Sequence, residues 1–475
     1  MLARRLLTPA RSLALVHLVR HTSSFQSLGL CPELCAALEA KHIAAPTDIQ
    51  TKTIKAALDG ANVICTDATG SGKTLAFLLP VIEKLRRSEQ AELAKAAKVA
   101  NSIPMKREVS RPKAIVLVPS RELGLQVGSV ARDLAHFSKF SSCVITGGSA
   151  HKPQKTALSR PVDVLVATPG RLATFLKSGH VFVSRVEYVI IDEADTLLDK
   201  KMGFRGIMDE ILEPVKASAA AKGRNVQYLL AAATVKPPMD EVFSSGFRDL
   251  KWARPSPHVT GASVHQTPTA ITEEFIRVPG SEGKHAALRE SLSFAKEGKT
   301  IVFCNSTASC RSTEHMLHEH GYHCTSLHGE IPPVVRKKNF EAFAGTTAAV
   351  LVCTDLAARG LDLDHVDHVI NFDFPKSSVD YLHRAGRTGR AGKRGVVTSL
   401  ITKHDAAAAR LLQDAKGRRK PIADMSTDGT IKLPRYKDPS VVSAASKMAK
   451  KKAPLHSRLK GTRKLKAHKI RTWRK

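Results

Sequence analysis

Two successive series of short, almost wholly apolar runs, separated by longer stretches of helical periodicity, leave this chain few folds to choose from. The first series occupies residues 62–66, 114–119, 162–167, 188–192 and 227–231. The second occupies 300–304, 323–327, 349–353, 368–372 and 396–401. Near-continuous hydrophobicity over so few residues fits strands covered on both faces, as in parallel sheets. Helical patterns such as 75–87 and 284–295 lie between them. Strand–helix alternation predicts doubly wound α/β units, and two series predict two sheets. The length of 475 residues agrees, since one hydrophobic core does not grow that large. The break is expected in residues 251–271, where Pro255, Pro257, Gly261 and Pro268 interrupt any period. This divides the folded part into residues 25–250 and 272–422. Residues 88–113, Ala/Lys-rich and broken by Pro104 and Pro112, read as a surface insertion with a short helix.

Chemistry enters at two places in the first series. The run at 62–66 leads into Asp67-Ala68-Thr69-Gly70-Ser71-Gly72-Lys73-Thr74, with a helix expected from about Lys73. Strand, glycine-containing turn and helix N-terminus form a cradle for phosphates, with backbone N–H groups and the Lys73 ammonium as donors. The run at 188–192 closes on Asp192-Glu193-Ala194-Asp195. An acidic pair closing a buried strand can hold Mg²⁺ and position a water. The two elements together specify a nucleoside triphosphatase. Thr74 is expected to ligate Mg²⁺ through its hydroxyl, and Asp192 to hold it partly through water. Glu193 is the expected activator of the attacking water. Charge developing on the γ-phosphate also needs cations, and Arg387 and Arg390, three residues apart, can present two guanidinium forks to one phosphate.

The charge points to a polyanionic partner. Lys+Arg is 74 against 43 Asp+Glu, a net +31, and nucleic acid is the leading candidate. Most of the surplus lies at the ends: residues 432–475 carry +15 and residues 1–24 carry +4 with no acid. The tail has few acids and reads as a flexible, basic RNA-tethering arm. The Arg-bearing, acid-free, amphipathic start resembles a mitochondrial transit peptide, which predicts a mitochondrial matrix address. A nuclear or nucleolar signal in the tail is the rival. The eight cysteines show no CxxC pair, so neither a zinc knuckle nor a disulfide framework is expected. No apolar run approaches 18 residues, so no membrane helix is expected.

Further motifs fall in a recognisable order. Ala45-Pro46-Thr47-Asp48-Ile49-Gln50 is followed by the phosphate loop and by Pro119-Ser120-Arg121-Glu122-Leu123. Next come Gly147-Gly148, Thr168-Pro169-Gly170-Arg171 and the acidic run. The second series adds Val302-Phe303-Cys304-Asn305, Cys353-Thr354-Asp355-Leu356-Ala357-Ala358-Arg359-Gly360-Leu361-Asp362 and His383-Arg384-Ala385-Gly386-Arg387-Thr388-Gly389-Arg390. Over roughly residues 25–420 the chain resembles a DEAD-box RNA helicase of superfamily 2.

The resemblance implies two tandem RecA-like domains facing each other across a cleft. ATP binds the first, with Phe25 stacked on the base, Gln50 reading the adenine edge, and the loop from Asp67 to Thr74 on the phosphates. Gly360, Asp362, Arg387 and Arg390 complete the site from the second. RNA lies across both domains on Arg121, Gly148, Thr168, Arg171, Arg336 and Thr354. These contacts are to backbone, so little sequence preference is expected. Closure bends one strand and separates a short duplex; hydrolysis resets the clamp. Assembly of a mitochondrial ribosomal subunit, or of another organellar RNA–protein particle, is a natural setting, with assembly proteins as partners and the enzyme as a monomer. Three positions depart from the pattern. Ala232 stands for the Ser of Ser-Ala-Thr, Pro333 for a Gln three residues before Arg336, and Asp67 for a Gly or Ala six residues before Lys73. Ala232 keeps a second reading open: an ATP-gated RNA clamp, serving as an assembly scaffold with weak unwinding. A DNA-directed ATPase is disfavoured by the Gln50 motif together with the acidic run.

Overall fold

The computed structural model describes residues 24–67, 70–98, 108–198, 203–233, 250–253, 270–294, 298–345, 349–358, 366–390 and 393–417. Two all-parallel sheets organise them. The first contains β1 (Asn62–Thr66), β2 (Ala114–Leu117), β3 (Ser142–Ile145), β4 (Val164–Ala167), β5 (Tyr188–Ile191), β6 (Gln227–Ala232) and β7 (Leu250–Ala253), in the order β3-β4-β2-β5-β6-β1-β7. The second contains β8 (Ile271–Arg277), β9 (Lys299–Cys304), β10 (Cys324–Leu327), β11 (Ala349–Thr354), β12 (Val366–Asn371) and β13 (Gly395–Ile401), ordered β10-β11-β9-β12-β13-β8.

The apolar runs become strands because each feeds two cores at once. Along β2, Ala114 and Val116 enter the core on one face of the sheet, Ile115 and Leu117 the core on the other. In the second sheet Ile301 and Phe303 of β9 face one core, Val302 and Cys304 the other. With no polar face to offer, such strands are stable only between two helical layers. Helices α1 (Pro32–Ala40), α2 (Asp48–Leu58), α3 (Lys73–Lys98), α4 (Arg121–Ala135), α5 (His151–Leu158), α6 (Pro169–Lys177), α7 (Ala194–Leu197) and α8 (Arg205–Ala220) belong to the first lobe. The second has α9 (Gly280–Phe294), α10 (Thr307–Glu319), α11 (Pro333–Gly345), α12 (Asp355–Ala358), α13 (Ser378–Ala385) and α14 (Ala406–Gly417).

Expectation and structure differ in four elements. β3 has no continuous apolar signature; its Ser142 and Val144 are half-buried at the sheet edge. β8, with two Glu in seven residues, is likewise an edge strand, pairing only with β13. β7 begins at the end of the expected first domain and runs into the expected linker, where backbone pairing with β1 overrides a weak local pattern. The expected insertion is in part a continuation of α3, which runs unbroken through Pro80 to Lys98. The remaining linker residues 254–269, residues 1–23 and the basic tail 432–475 lie outside the described residues. All eight cysteines carry free thiols. Among the described residues, no helix is long and apolar enough to cross a membrane.

Candidate active site

Parallel strands deliver their C-terminal ends to one edge, and open α/β sheets bind ligands there. In the first lobe the three adjacent strands β5, β6 and β1 end in Asp192-Glu193, in Ala232-Ala233 and in the phosphate loop. Their neighbours β2, β4 and β3 end near Arg121, Thr168-Arg171 and Gly147-Gly148. The order of strands thus sorts the candidate triphosphate residues to one half of the edge and the candidate RNA residues to the other.

The phosphate loop is held open by backbone geometry and by α2. Gly70 and Gly72 have φ of +83° and +88°, a region that L side chains rarely adopt. The Lys73 ammonium donates to the Asp67 carbonyl at 2.7 Å. Thr47 and Gln50 form a reciprocal capping box at the start of α2. From it the Thr47 hydroxyl donates to Ser71 O at 3.2 Å and the Gln50 amide to Gly72 O at 3.1 Å.

The two residues expected at the base, Gln50 and Phe25, are both engaged within the first lobe. Gln50 is only 3% exposed. Its carbonyl accepts from Thr47 N at 2.9 Å while its amide holds Gly72, so the side chain struts the phosphate loop. Phe25, 4% exposed, packs in the first-lobe core with Leu30 and Leu34.

A single cleft of about 290 Å³ collects groups from both lobes. Gly70, Gly72, Lys73, Thr74, Asp192, Glu193 and Ala232 line it from the first lobe, and His383, Arg387 and Arg390 from the second. Burial pushes the Asp192 carboxyl up to about 7; the neighbouring Glu193 adds to this and Lys73 opposes it. A carboxylate so destabilised, beside a second one and a Thr hydroxyl, is the hard oxygen set that Mg²⁺ prefers. Two buried atoms there, Glu193 Oε2 and Ser71 Oγ, make no hydrogen bond. Phosphate, cation and water fit these residues. Glu193 also adopts φ 47°, ψ 48°, a left-handed conformation uncommon for Glu, with its N–H donating to Asp192 Oδ1 at 2.9 Å.

The second lobe reaches across through α13 and the turn after it. His383 Nε2 lies 3.2 Å from Asp195 Oδ2, with both side chains buried. A Cβ on Gly70 would sit 3.5 Å from the Arg390 stem. Arg384 turns the other way, into its own lobe, where it bonds Asp355, Asn371, Asn305 and the Asp373 carbonyl. Neither the His383–Asp195 link nor the inward turn of Arg384 shows in the local sequence. Their partners are far away in sequence, and no local spacing encodes them.

Four of the candidate RNA residues, Arg121, Gly148, Thr168 and Arg171, meet around one loop. Arg121 donates to Gly148 O at 3.1 Å, Arg171 to Ser149 O at 2.8 Å, and Gly147 N to the Thr168 hydroxyl at 3.0 Å. Two segments, the start of α4 and the turn from β4 into α6, therefore hold the loop that follows β3. Arg171 is 8% exposed and its Nη1 makes no hydrogen bond, as a donor awaiting an anion would. Arg336 crosses the seam to Glu122 at 3.4 Å, and a Cβ on Gly148 would lie 3.2 Å from Pro333. Thr354 ends β11, opposite Cys304. Ala68, Thr69, Thr234, Arg359, Gly360 and Asp362 lie outside the described residues.

Residues 47–242 match the DEAD/DEAH box helicase family, and residues 283–392 the helicase conserved C-terminal domain. The chain is 37% identical over 410 residues to "DEAD-box ATP-dependent RNA helicase 39" of Arabidopsis thaliana, covering 85% of this chain and 63% of that one. It is 33% identical over 440 residues to "Probable ATP-dependent RNA helicase DDX28" of Homo sapiens, covering 87% and 76%. Its fold superposes on S. cerevisiae Dbp5 bound to RNA and ADP BeF3 with a TM-score of 0.68 and 25% identity, covering 83% of this chain and 94% of that one.

Proposed function

This chain belongs to the DEAD-box ATP-dependent RNA helicases, and from that premise we propose how its residues divide the work. ATP is gripped between Lys73 and the phosphate loop on one lobe and Arg387 and Arg390 on the other. Glu193 activates the attacking water. Arg121, Gly148, Thr168, Arg171, Arg336 and Thr354 hold the RNA backbone along the other half of the edge. The observation that supports this division most is the cleft lined from both lobes. Neither lobe alone presents both the phosphate cradle and the cations that neutralise charge at the γ-phosphate. Thr74 and Asp192 would hold Mg²⁺, which supplies charge neutralisation on the β- and γ-phosphates. The His383–Asp195 bond, 3.2 Å across the cleft, lets the closed state register on the acidic run.

Ala232 favours a second reading. It ends β6 beside Thr66, lines the cleft, and offers a methyl group there. Without a hydroxyl at this point, closure on RNA and strand separation can come apart, which makes the protein an ATP-gated clamp. One paired assay separates the two: displacement of a short RNA duplex beside phosphate release on the same RNA. Displacement together with RNA-stimulated release is the expected result. Release without displacement identifies the clamp. No release with or without RNA rejects both.

For the cellular setting we propose the mitochondrial matrix, with the assembly of a ribosomal subunit or another organellar RNA–protein particle as the task. The reading rests on composition: four Arg and no acid in residues 1–24, and sixteen Lys/Arg in residues 432–475 to tether RNA. A reporter fused to residues 1–30 is expected to enter mitochondria. A reporter left in the cytosol, or nuclear accumulation driven by the tail, would withdraw the address and leave the chemistry untouched.

A further inference from the structure

A second cavity, about 340 Å³, lies between the lobes. It lies between α4 and α11, which face each other there without filling the space. Leu125, Ser129 and Arg132 stand at i, i+4 and i+7 on α4; Pro333, Arg336, Lys337 and Phe340 form the matching stripe on α11. Leu125 is 41% exposed, a large apolar side chain left uncovered on a helix whose opposite face is core.

The cavity's charge is one-sided. Arg121, Arg132, Arg336 and Lys337 border it against a single lining acid, Glu122, which is paired with Arg336 at 3.4 Å; Lys337 pairs at the surface with Glu341 at 3.5 Å, where both side chains stay exposed. Apolar walls of this size ringed by cations suit a small amphipathic anion. We propose that this seam is a ligand site for an organic anion with an aromatic or branched aliphatic body and one phosphate, sulfonate or carboxylate. Leu125 and Phe340 would cover the body; Arg132 and Lys337 would receive the charge.

The position gives such a ligand a consequence. Gln126 lines both this cavity and the triphosphate cleft. One wall belongs to each lobe, so the site is complete only when the lobes are together. A ligand that binds only the closed state stabilises it, and linkage makes the effect reciprocal. Whatever factor RNA adds to the ligand's affinity, the ligand adds to RNA's. The inference rests on the reading that the lobes close on ATP and RNA.

The test uses the full-length chain with a non-hydrolysable ATP analogue, single-stranded RNA and 8-anilinonaphthalene-1-sulfonate as the probe. We expect saturable fluorescence enhancement that is strong with analogue and RNA together and weak with neither. L125W, which fills the cavity, and R132E/K337E, which reverses its charge, should each weaken probe binding by about tenfold or more. RNA should bind the closed enzyme more tightly in the presence of the probe. RNA-stimulated phosphate release by both variants, at saturating RNA, shows that they are folded. Enhancement that neither variant alters overturns the proposal. So does displacement of the probe by RNA, which would make the cavity part of the RNA path. Phosphate release by the parent chain is read separately: if it is absent, the helicase reading fails, whatever the probe does.

Discussion

Glu193→Gln is expected to lower RNA-stimulated phosphate release by about 10²–10⁴-fold, the usual worth of a positioned general base. Nucleotide and RNA binding should persist, and release of RNA from the ATP-bound enzyme should slow, because only the step that resets the clamp is removed. The geometry isolates the effect. Glu193 Oε2 makes no hydrogen bond, so the substitution breaks no described contact of that oxygen. The left-handed backbone at φ 47° is shared by both side chains, so its strain is unchanged. Stability should therefore stay within about 0.5 kcal/mol of the parent. Single-turnover phosphate release beside a thermal melt checks both halves. Parent-like turnover would remove Glu193 from the chemistry. A large drop in melting temperature would mean that the residue is structural.

What could be read in the sequence was what is encoded locally. The strands buried on both faces announced themselves as apolar runs, and the acidic run and phosphate loop lie at the ends of two of them, β5 and β1. Edge strands gave a weaker signal. β8 carries Glu273 and Glu274 and is ordered by pairing with β13 rather than by its own pattern. Gln50 was legible as a polar residue in a motif. Its engagement by Thr47 and Gly72 was not, because the Gly72 contact is made across 22 residues. Phe25 shows the same limit: an aromatic ring beside a nucleotide-binding motif can serve the base or the core, and only packing decides. The contacts that join the lobes are furthest from view. His383 meets Asp195 over a separation of 188 residues, and Arg336 meets Glu122 over 214.

Arg384 separates these two kinds of information most sharply. It is one of three arginines in the run 383–390, of which Arg387 and Arg390 are expected to face phosphate. In the fold it is 1% exposed and points into the second lobe. Its Nε and Nη2 bond the two Asp355 carboxylate oxygens at 2.5 and 2.7 Å. Nη1 donates to Asn371 Oδ1 at 3.2 Å and to Asp373 O at 2.7 Å, and Nη2 also reaches Asn305 Oδ1 at 2.7 Å. The guanidinium lies 5.2 Å from the Phe303 ring centroid. One side chain thus ties together the C-terminal ends of β9, β11 and β12, from which the loops of the second lobe's site emerge. Arg384→Ala is expected to cost about 2–4 kcal/mol, since it deletes a fully buried side chain, leaves the half-buried Asp355 carboxylate without its bidentate partner and takes the donor from two amides. Arg384→Lys should recover only part of this, because an ammonium cannot reproduce the planar fork. Urea denaturation followed in the second lobe measures both. In a double-mutant cycle with Asp355→Ala, the pair should cost clearly less than the sum of the singles, because the second change removes the charge that the first left exposed. Additive costs, or a loss below about 1 kcal/mol for Arg384→Ala, would mean that the network is geometry without energy. The lobe's loops would then be held by the strands alone.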